Sequence, residues 1–318
     1  MHHINNKILA TFAILLMLIS ITGQVIIFKR ADEIEQSPLE KVTGKASGTV
    51  FIAIMRPFTE MNLRGELEDD NETVRLIWND LGHDNISIFI AKNATGFNFG
   101  APNITGITVF NWSDPTSGND AERYYKIGMW NMGLFNVSEN TVVKYDMNLT
   151  TTNGRWNYLS LPAEPMNNSR NEVLKGISGS YDWIYEYNPT GGNYSYWFDP
   201  FSTGNIHNLT PDKCYIIKMT DNITFTIVGN DNTDINENLV VDNGRWNYLG
   251  WVNEITPRNA ATGTIAGDFD WIYEYVALSG NYSFWFDPFT TGNIDYFNPG
   301  RCYIIQATVN NTVLNYAK

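Results

Sequence analysis

Hydrophobic and polar residues follow three different patterns along the chain. An almost unbroken apolar run extends from Ile8 to Phe28. Beyond it, short apolar stretches alternate with polar positions and are separated by Gly, Asn, Asp and Pro, which is typical of strands joined by turns. In the second half of the chain these stretches are rich in Trp and Tyr, and they recur. The pattern predicts a mainly β protein behind an N-terminal membrane-spanning helix.

The apolar run has two interpretations. A helix rises about 1.5 Å per residue, so a run of about 20 residues can cross a hydrocarbon core of about 30 Å. One interpretation is a secretory signal peptide cleaved between Ser20 and Gly23, and the other is an uncleaved signal anchor. The length of the run and the lack of an Ala-x-Ala site favour the anchor. We assign residues 1–31 to this signal peptide or anchor and residues 32–44 to a linker.

Residues 45–147 contain short strand-like stretches at the spacing of a β-sandwich. The predicted strands cover residues 49–54, 73–78, 86–91, 124–130 and 141–144. Their order resembles a fibronectin type III-like module. Leu76-Ile77-Trp78 matches the tryptophan of that family's B strand, and residues 122–130 match its F strand, where a tyrosine packs at a corner. The resemblance implies that this region forms a fibronectin type III-like β-sandwich.

The rest of the chain contains one module twice. Asp-Trp-Ile-Tyr-Glu-Tyr at residues 182–187 recurs unchanged at 270–275. Residues 193–206 match residues 281–294 at twelve of fourteen positions. Matches of this density indicate an internal duplication.

Each copy is expected to be a compact, mostly β module with one short helix. Copy 1 covers residues 148–229, a solvated linker covers 230–237, and copy 2 covers 238–318. Ser169 is the expected helix N-cap in copy 1, and Pro257 is expected at the first helical position in copy 2. Two aromatic strands around a Gly-containing turn predict a hairpin in each copy. The Cys-Tyr-Ile-Ile strand is expected to pair with the last strand of its copy.

The copies resemble paired Trp- and Tyr-rich modules that follow such sandwiches in large prokaryotic, often archaeal, cell-surface proteins. In those modules the closing strand commonly begins Pro-Gly-x-Gly-Tyr-Trp-Ile. Here the corresponding segments begin at Pro211 (Pro-Asp-Lys-Cys-Tyr-Ile) and Pro299 (Pro-Gly-Arg-Cys-Tyr-Ile). The resemblance implies surface architecture or adhesion and identifies no catalytic residue.

The cysteines of the two copies occupy equivalent positions. Cys214 and Cys302 can form a disulfide between the copies only if their Cα atoms lie within about 7 Å. The alternative is a pair of buried thiols in equivalent strands, which we favour from sequence.

The net charge and the number of N-glycosylation motifs favour a location outside the cell. The net charge is −13, with 21 Lys+Arg against 34 Asp+Glu, which disfavours a nucleic-acid partner. Asn-x-Ser/Thr acceptors for N-glycosylation exceed chance expectation, although Asn and Thr are also common in turns and strands. The acceptors are Asn71, Asn85, Asn93, Asn103, Asn111, Asn136, Asn148, Asn167, Asn193, Asn208, Asn222, Asn281 and Asn310.

Catalytic and metal-binding patterns are weak. His83 and His207 have no second ligand at metal spacing, and the chain contains no G-x-S-x-G turn. Glu186 is expected on a solvated strand face and Asp199 in a turn, as are their copies. The alternating oxygen donors from Asn230 to Asn238 lack the Gly and Glu of a calcium loop, which favours a linker. We therefore expect no cofactor, no metal and no enzymatic activity.

Aromatic residues alternate along the two strands of each hairpin. Alternate side chains of a strand share a face, so one face builds the core and the other can form an aromatic platform for sugars. Packing of the core and contact with another protein are the competing interpretations. The candidate carbohydrate-binding residues are Trp183, Tyr185, Tyr194, Trp197, Trp271, Tyr273, Tyr282 and Trp285.

These observations lead to one functional expectation with two alternatives. We expect a non-enzymatic, glycosylated protein on the extracellular face of the cell membrane, held there by the run from Ile8 to Phe28. Its role would be adhesion, envelope architecture or self-assembly into a filament or surface layer, through other copies of itself or envelope proteins. The first alternative is a carbohydrate-binding surface protein, and a distant alternative is a glycan-cleaving enzyme.

Overall fold

The computed structural model describes residues 27–30, 52–55, 61–79, 86–131, 134–231, 234–252 and 254–316. Two units divide the chain, Met1–Glu60 and Met61–Lys318. In the first unit, strand β1 (Ile27–Arg30) pairs in parallel with strand β2 (Ile52–Met55). The predicted strand at 49–54 therefore overlaps β2 and belongs to this unit.

Most of the predicted membrane-spanning run lies outside the described residues, as does the linker 32–44. Among the described residues, no helix is long and apolar enough to cross a membrane. Ile27 and Phe28, which end the run, lie in β1 and not in a helix. The extension of the predicted helix to Phe28 is thus wrong, and the high β-propensity of Ile and Phe accounts for the extended backbone.

The second unit begins with two sheets. The smaller sheet has the order β3-β4-β7, and the larger has the order β16-β10-β8-β5-β6 with β9 also on β8. The strands are β3 (Arg64–Leu67), β4 (Val74–Ile77), β5 (Ile86–Ala91), β6 (Ile104–Ile107), β7 (Asn111–Asp114), β8 (Glu122–Asn131), β9 (Leu134–Val137), β10 (Val142–Leu149) and β16 (Ile223–Asn230).

The two sheets pack as a sandwich because their inner positions are apolar. Val74 and Leu76 of β4 are fully buried, as is Ile88 of β5. Gly65 of β3 lies directly against Val142 and Val228 of the larger sheet, where a Cβ atom would collide. The prediction of a mainly β chain is confirmed, and the predicted strands at 73–78, 86–91, 124–130 and 141–144 overlap β4, β5, β8 and β10.

Two further five-stranded sheets share one topology. Their orders are β11-β15-β12-β13-β14 in copy 1 and β18-β24-β20-β21-β22 in copy 2. The strands of copy 1 are β11 (Trp156–Leu159), β12 (Tyr181–Asn188), β13 (Asn193–Phe198), β14 (Thr203–Gly204) and β15 (Tyr215–Met219). Those of copy 2 are β18 (Trp246–Gly250), β20 (Phe269–Val276), β21 (Asn281–Phe286), β22 (Thr291–Gly292) and β24 (Cys302–Ala307).

One short helix covers the core face of each five-stranded sheet. Helix α1 (Arg170–Val173) and helix α2 (Arg258–Ala261) are each followed by a 3-10 turn. Ser169 occupies the predicted N-cap position, although its side chain makes no capping hydrogen bond. Pro257 is the N-cap of α2 and not its first helical residue, which corrects the expectation. Strand β19 (Thr256–Pro257) pairs with β23 (Tyr296–Phe297) in front of that helix.

The last strand of each copy has a different partner from the predicted one. Strand β16 pairs with β10, and β25 (Thr312–Tyr316) pairs with β17 (Ile235–Leu239), while β15 and β24 lie inside the five-stranded sheets. The boundary expected at residue 148 therefore falls within β10. The predicted linker 230–237 is partly strand, because Ile235 is fully buried and pairs with Tyr316.

The two copies meet around an approximate two-fold axis. Leu159 bridges to Arg301, and the equivalent Leu249 bridges to Lys213. Exchange of partners in this way is the signature of an isologous contact. The disulfide between Cys214 and Cys302, whose Cα atoms are 5.2 Å apart, joins a residue to its own counterpart.

The expectation of two buried thiols is therefore wrong. At the contact between the copies, Cys214 immediately precedes β15 and Cys302 begins β24, and both are buried. A residue close to a two-fold axis necessarily lies close to its counterpart, which is why the pair is within bonding distance.

Candidate functional site

One face of each five-stranded sheet carries a row of aromatic rings. The strand register places Trp183 opposite Phe198, Tyr185 opposite Tyr196, and Tyr187 opposite Tyr194. Because alternate residues share a face, all these rings point the same way. We call the combined set the aromatic surface: Trp156, Tyr158, Trp183, Tyr185, Tyr187, Tyr194, Tyr196 and Phe198, with Trp246, Tyr248, Trp271, Tyr273, Tyr275, Tyr282, Phe284 and Phe286.

Two predicted carbohydrate-binding residues lie on the opposite face. Trp197 pairs with Ile184 on the core face, and the Arg170 guanidinium lies 3.2 Å from its ring centre. Trp285 has the same arrangement with Arg258. These cation–π contacts hold the short helices on the sheets. Trp197 and Trp285 are therefore not part of the aromatic surface, whereas the other six candidates are.

The first aromatic groove is an open depression of about 470 Å³. Ile216 forms its apolar floor, and aromatic rings form its walls. Its lining residues are Trp156, Tyr158, Tyr185, Tyr194 and Ile216 of copy 1 with Tyr275 and Tyr282 of copy 2. Each of these residues is uncharged.

The second aromatic groove, of about 260 Å³, is the counterpart in copy 2. It is lined by Trp246, Tyr248, Tyr273, Tyr282 and Ile304, again uncharged. All five are the duplicates of residues that line the first aromatic groove, and Tyr282, the duplicate of Tyr194, lines both grooves.

Tyrosines cross between the copies at the centre of the aromatic surface. The Tyr158 ring lies 4.7 Å from that of Tyr275, and the Tyr248 ring lies 4.7 Å from that of Tyr187. The Tyr158 and Tyr282 hydroxyls are 3.1 Å apart. Each copy thus completes the aromatic cluster of the other, so both copies are needed to build the site.

Not every ring offers a free face. Phe198 stacks on Trp183 at 4.1 Å between ring centres, and Phe286 stacks on Trp271 at the same distance. By contrast, the residues Tyr194 and Tyr282 at the grooves are 45% and 47% exposed. A ligand ring would therefore insert into one of the grooves, beside Tyr185 or Tyr273. It would not lie flat on Trp183 or Trp271, whose faces are covered by phenylalanines.

Two phenols of the grooves, Tyr158 and Tyr248, are neutral hydrogen-bonding groups. Burial, reinforced by the hydrogen bond to Tyr282, raises the pKa of Tyr158 far above its ordinary value. Burial and the hydrogen bond from Tyr194 do the same for the pKa of Tyr248. These tyrosines therefore stay protonated at physiological pH and can each donate or accept a hydrogen bond.

The repeated carboxylates take other positions. Glu186 lies on the face of Ile184 and not on a solvated face, and burial raises its pKa and that of Glu274. The prediction of a solvated glutamate is wrong because Glu186 shares its strand face with Ile184, which packs in the core. Asp199 lies in the expected turn, where it accepts a hydrogen bond from the indole N–H of Trp197 at 3.2 Å.

Ten of the thirteen predicted glycosylation acceptors are exposed: Asn93, Asn103, Asn111, Asn148, Asn167, Asn193, Asn208, Asn222, Asn281 and Asn310. Asn71 is half-buried, and Asn85 lies outside the described residues. His83 also lies outside them, as does Asn232, one of the alternating oxygen donors between Asn230 and Asn238. The Nδ2 atom of Asn136 is buried without a hydrogen-bond partner in the part of the chain that the structure describes. Within that part, no group of three or more His, Cys, Asp or Glu residues is placed to hold a metal.

Sequence reasoning missed the residues that complete the grooves. Trp156 and Tyr158 of β11 come from outside the hairpin, as do Trp246 and Tyr248 of β18. The alternation in Trp-Asn-Tyr-Leu is a usable signal for a shared face, but only the pairing of β11 with β15 brings that face beside the hairpin.

No family model matches the chain, and no curated protein and no solved structure matches it either. The functional inference therefore depends on the chemistry of the aromatic surface and its two grooves.

Proposed function

We propose that this protein is a non-enzymatic, exported cell-surface protein that binds carbohydrate through its aromatic surface, and that this binding serves adhesion. The observation that carries the proposal is the pair of neutral, solvent-open grooves walled by Trp and Tyr. A contiguous exposed apolar patch on a folded protein marks a binding surface more often than a structural accident. The rings are held by sheet pairing, so little conformational entropy is lost on binding.

The composition of the grooves favours carbohydrate. A sugar ring has apolar C–H faces and a rim of hydroxyls, which complements an aromatic wall with phenolic hydroxyls. Ile216 supplies an apolar floor, and Tyr158 and Tyr194 supply hydrogen-bonding groups. The chain carries a net charge of −13, which disfavours an anionic ligand and favours a neutral one.

Export of the chain is supported by two independent features. Most predicted N-glycosylation acceptors are exposed, and Cys214 and Cys302 form a disulfide, which is typical of an oxidising compartment. The two-sheet sandwich, which we propose is fibronectin type III-like, would hold the aromatic surface away from the cell. The apolar run that begins at Ile8 would act as signal peptide or anchor.

A glycan array tests carbohydrate binding. We expect the purified full-length protein to be retained by neutral oligosaccharides and the Tyr185→Ala/Tyr273→Ala variant to lose at least about tenfold in affinity, equivalent to about 1.4 kcal/mol. Phe110→Ala removes an exposed ring in the sandwich region and is the matched control. Failure of the wild-type protein to bind any oligosaccharide on the array would overturn the proposal.

Self-assembly is the second candidate, and one observation favours it. Phe201 and Phe289 are 77% and 76% exposed. Both lie in identical Asp-Pro-Phe turns anchored by a tryptophan N–H. Such repeated apolar projections could contact neighbouring copies in a filament or surface layer. Electron micrographs should then show ordered arrays of the wild-type protein and none for Phe201→Ser/Phe289→Ser; dispersed wild-type particles would remove this candidate.

A further inference from the structure

We infer that the two aromatic grooves bind two separate saccharide chains, so that one protein molecule cross-links two glycans. This inference rests on the proposed carbohydrate binding and adds to it a valence of two. It follows from the symmetry that relates the grooves.

The grooves are exchanged by the same approximate two-fold axis that relates the copies. The Asn153 side-chain amide donates to the carbonyl of Leu278 at 2.7 Å, and the equivalent Asn243 donates to the carbonyl of Thr190 at 2.7 Å. The crossed tyrosine contacts obey the same exchange, and the Cys214–Cys302 disulfide lies close to the axis. The axis therefore maps the wall formed by Trp156 onto that formed by Trp246.

A two-fold axis conflicts with the direction of a linear glycan. A saccharide chain has a reducing and a non-reducing end, so its two directions are chemically different. A straight chain that crosses the axis at a right angle is mapped onto itself with its direction reversed. Such a chain would meet the second groove backwards and could not make the same contacts in both grooves. Two equivalent grooves are therefore best satisfied by two chains.

The grooves are equivalent in design but not identical. Lys218 lies over the Trp156 ring at 5.3 Å, whereas copy 2 has Gln306 at that position. Tyr196 of copy 1 is replaced by Phe284 in copy 2. The first aromatic groove is also the larger one. We expect two binding events per chain with different affinities, the stronger in the first groove.

The disulfide and the interlocked tyrosines hold the grooves in a fixed relation. If the two chains bound to one molecule belong to the same glycan-coated surface, the second contact increases the apparent affinity for that surface. If they belong to two different surfaces, the protein joins the surfaces. Both outcomes suit an adhesion protein.

Titration calorimetry and vesicle aggregation test this inference. The probes are neutral hexasaccharides (cellohexaose, laminarihexaose, mannohexaose and chitohexaose), free in solution and displayed on vesicles. All proteins carry Phe201→Ser/Phe289→Ser, so that self-association does not imitate cross-linking. For at least one probe we expect two equivalents per chain and aggregation of the vesicles.

Single-groove variants provide the decisive comparison. Trp156→Ala and Trp246→Ala should each bind one equivalent and coat vesicles without aggregating them, with Phe110→Ala behaving like its parent. Tyr185→Ala and Tyr273→Ala serve as a second pair if a tryptophan variant has a lowered melting temperature. One equivalent in the parent protein, without aggregation, overturns the valence of two and leaves carbohydrate binding intact. Absence of binding to all four probes, together with no retention on the glycan array, overturns both.

Discussion

Three ionisable side chains meet beside the contact between the copies. Lys213 Nζ lies 3.0 Å from Glu237 and 3.1 Å from Asp212. Burial and the hydrogen bond to Asp212 raise the pKa of Glu237 to about 7. Burial also opposes ionisation of Asp212, but hydrogen bonding to Glu237 and the charge of Lys213 lower its pKa to about 2. One proton is therefore retained by this group up to neutral pH.

This retained proton makes stability depend on pH. The pKa of Glu237 rises from 4.5 to about 7 on folding, so between these values the folded state holds a proton that the unfolded state has lost. Stability from this group is present below pH 4.5 and lost as the pH rises through about 7. In urea titrations, we expect the free energy of unfolding to fall by about 1–3 kcal/mol between pH 5 and pH 8. Glu237→Gln should remove that fall, and an unchanged fall in this variant would refute the assignment.

Burial of its side-chain amide leads us to expect that one predicted acceptor, Asn136, is not glycosylated. The Nδ2 atom of an acceptor asparagine forms the bond to the glycan. The Nδ2 atom of Asn136 is buried. Asn193 and Asn281, by contrast, are exposed residues. Glycopeptide mass spectrometry of the native protein should find Asn193 and Asn281 modified and Asn136 unmodified. A glycan on Asn136 would contradict the packing of β9.

Individual residues also show what alternation along a strand can and cannot settle. Trp183 and Tyr185 share a face of β12 by spacing alone, and Trp197 falls on the face of β13 opposite to Tyr194 and Tyr196 by the same rule. Spacing does not say which of the two faces packs on the core. That choice depends on helix α1 and on Arg170, which cover the face of Trp197.

At the scale of elements, strand existence is easier to predict than strand pairing. Segments rich in β-branched and aromatic residues formed β4, β5 and β8 as expected. Strands β6 and β7 were missed because Gly106 and the polar Asn-Trp-Ser-Asp sequence of β7 give weak strand signals. The partner of β16 was also missed, because a pairing across about 80 residues leaves no local trace in either strand.

The pairing of β16 with β10 couples copy 1 to the sandwich. Phe225 of β16 and its counterpart Leu314 of β25 are both fully buried. Phe225→Ala should destabilise the protein by about 3–5 kcal/mol and should increase hydrogen exchange in β10 as well as in β16. Leu314→Ala is the matched control and should increase exchange in β17 and not in β10. Unchanged protection of β10 in the Phe225 variant would show that the pairing does not couple the two regions.

At the scale of the whole molecule, the two copies behave as the halves of a symmetric dimer within one chain. The axis is defined by contacts that recur with partners exchanged, and the disulfide between Cys214 and Cys302 spans 88 residues. Asn153, Asn243 and the crossed tyrosines add non-covalent contacts between the copies. The copies should therefore remain associated without the disulfide but be less stable.

The Cys214→Ser/Cys302→Ser variant tests whether the non-covalent contacts hold the copies together without the disulfide. A loop of this length corresponds to about 4–5 kcal/mol in the chain-entropy account of disulfides. We expect the double variant to lose up to that amount in urea titrations and to keep its near-ultraviolet circular dichroism, which reports the packed aromatic surface. Unfolding of the variant without urea would show that the non-covalent contacts cannot hold the copies together.

The sequence by itself determined the β-rich composition, the internal duplication, the alternation of rings along the hairpins and the abundance of glycosylation acceptors. These are local or self-comparing properties, readable from spacing and identity. Only the tertiary structure decided which rings face solvent, which strands pair, that Cys214 meets Cys302 and that Tyr158 enters the cluster of the other copy. These outcomes depend on contacts between distant segments, whose free energies arise only when the sheets pack and the copies meet around their axis.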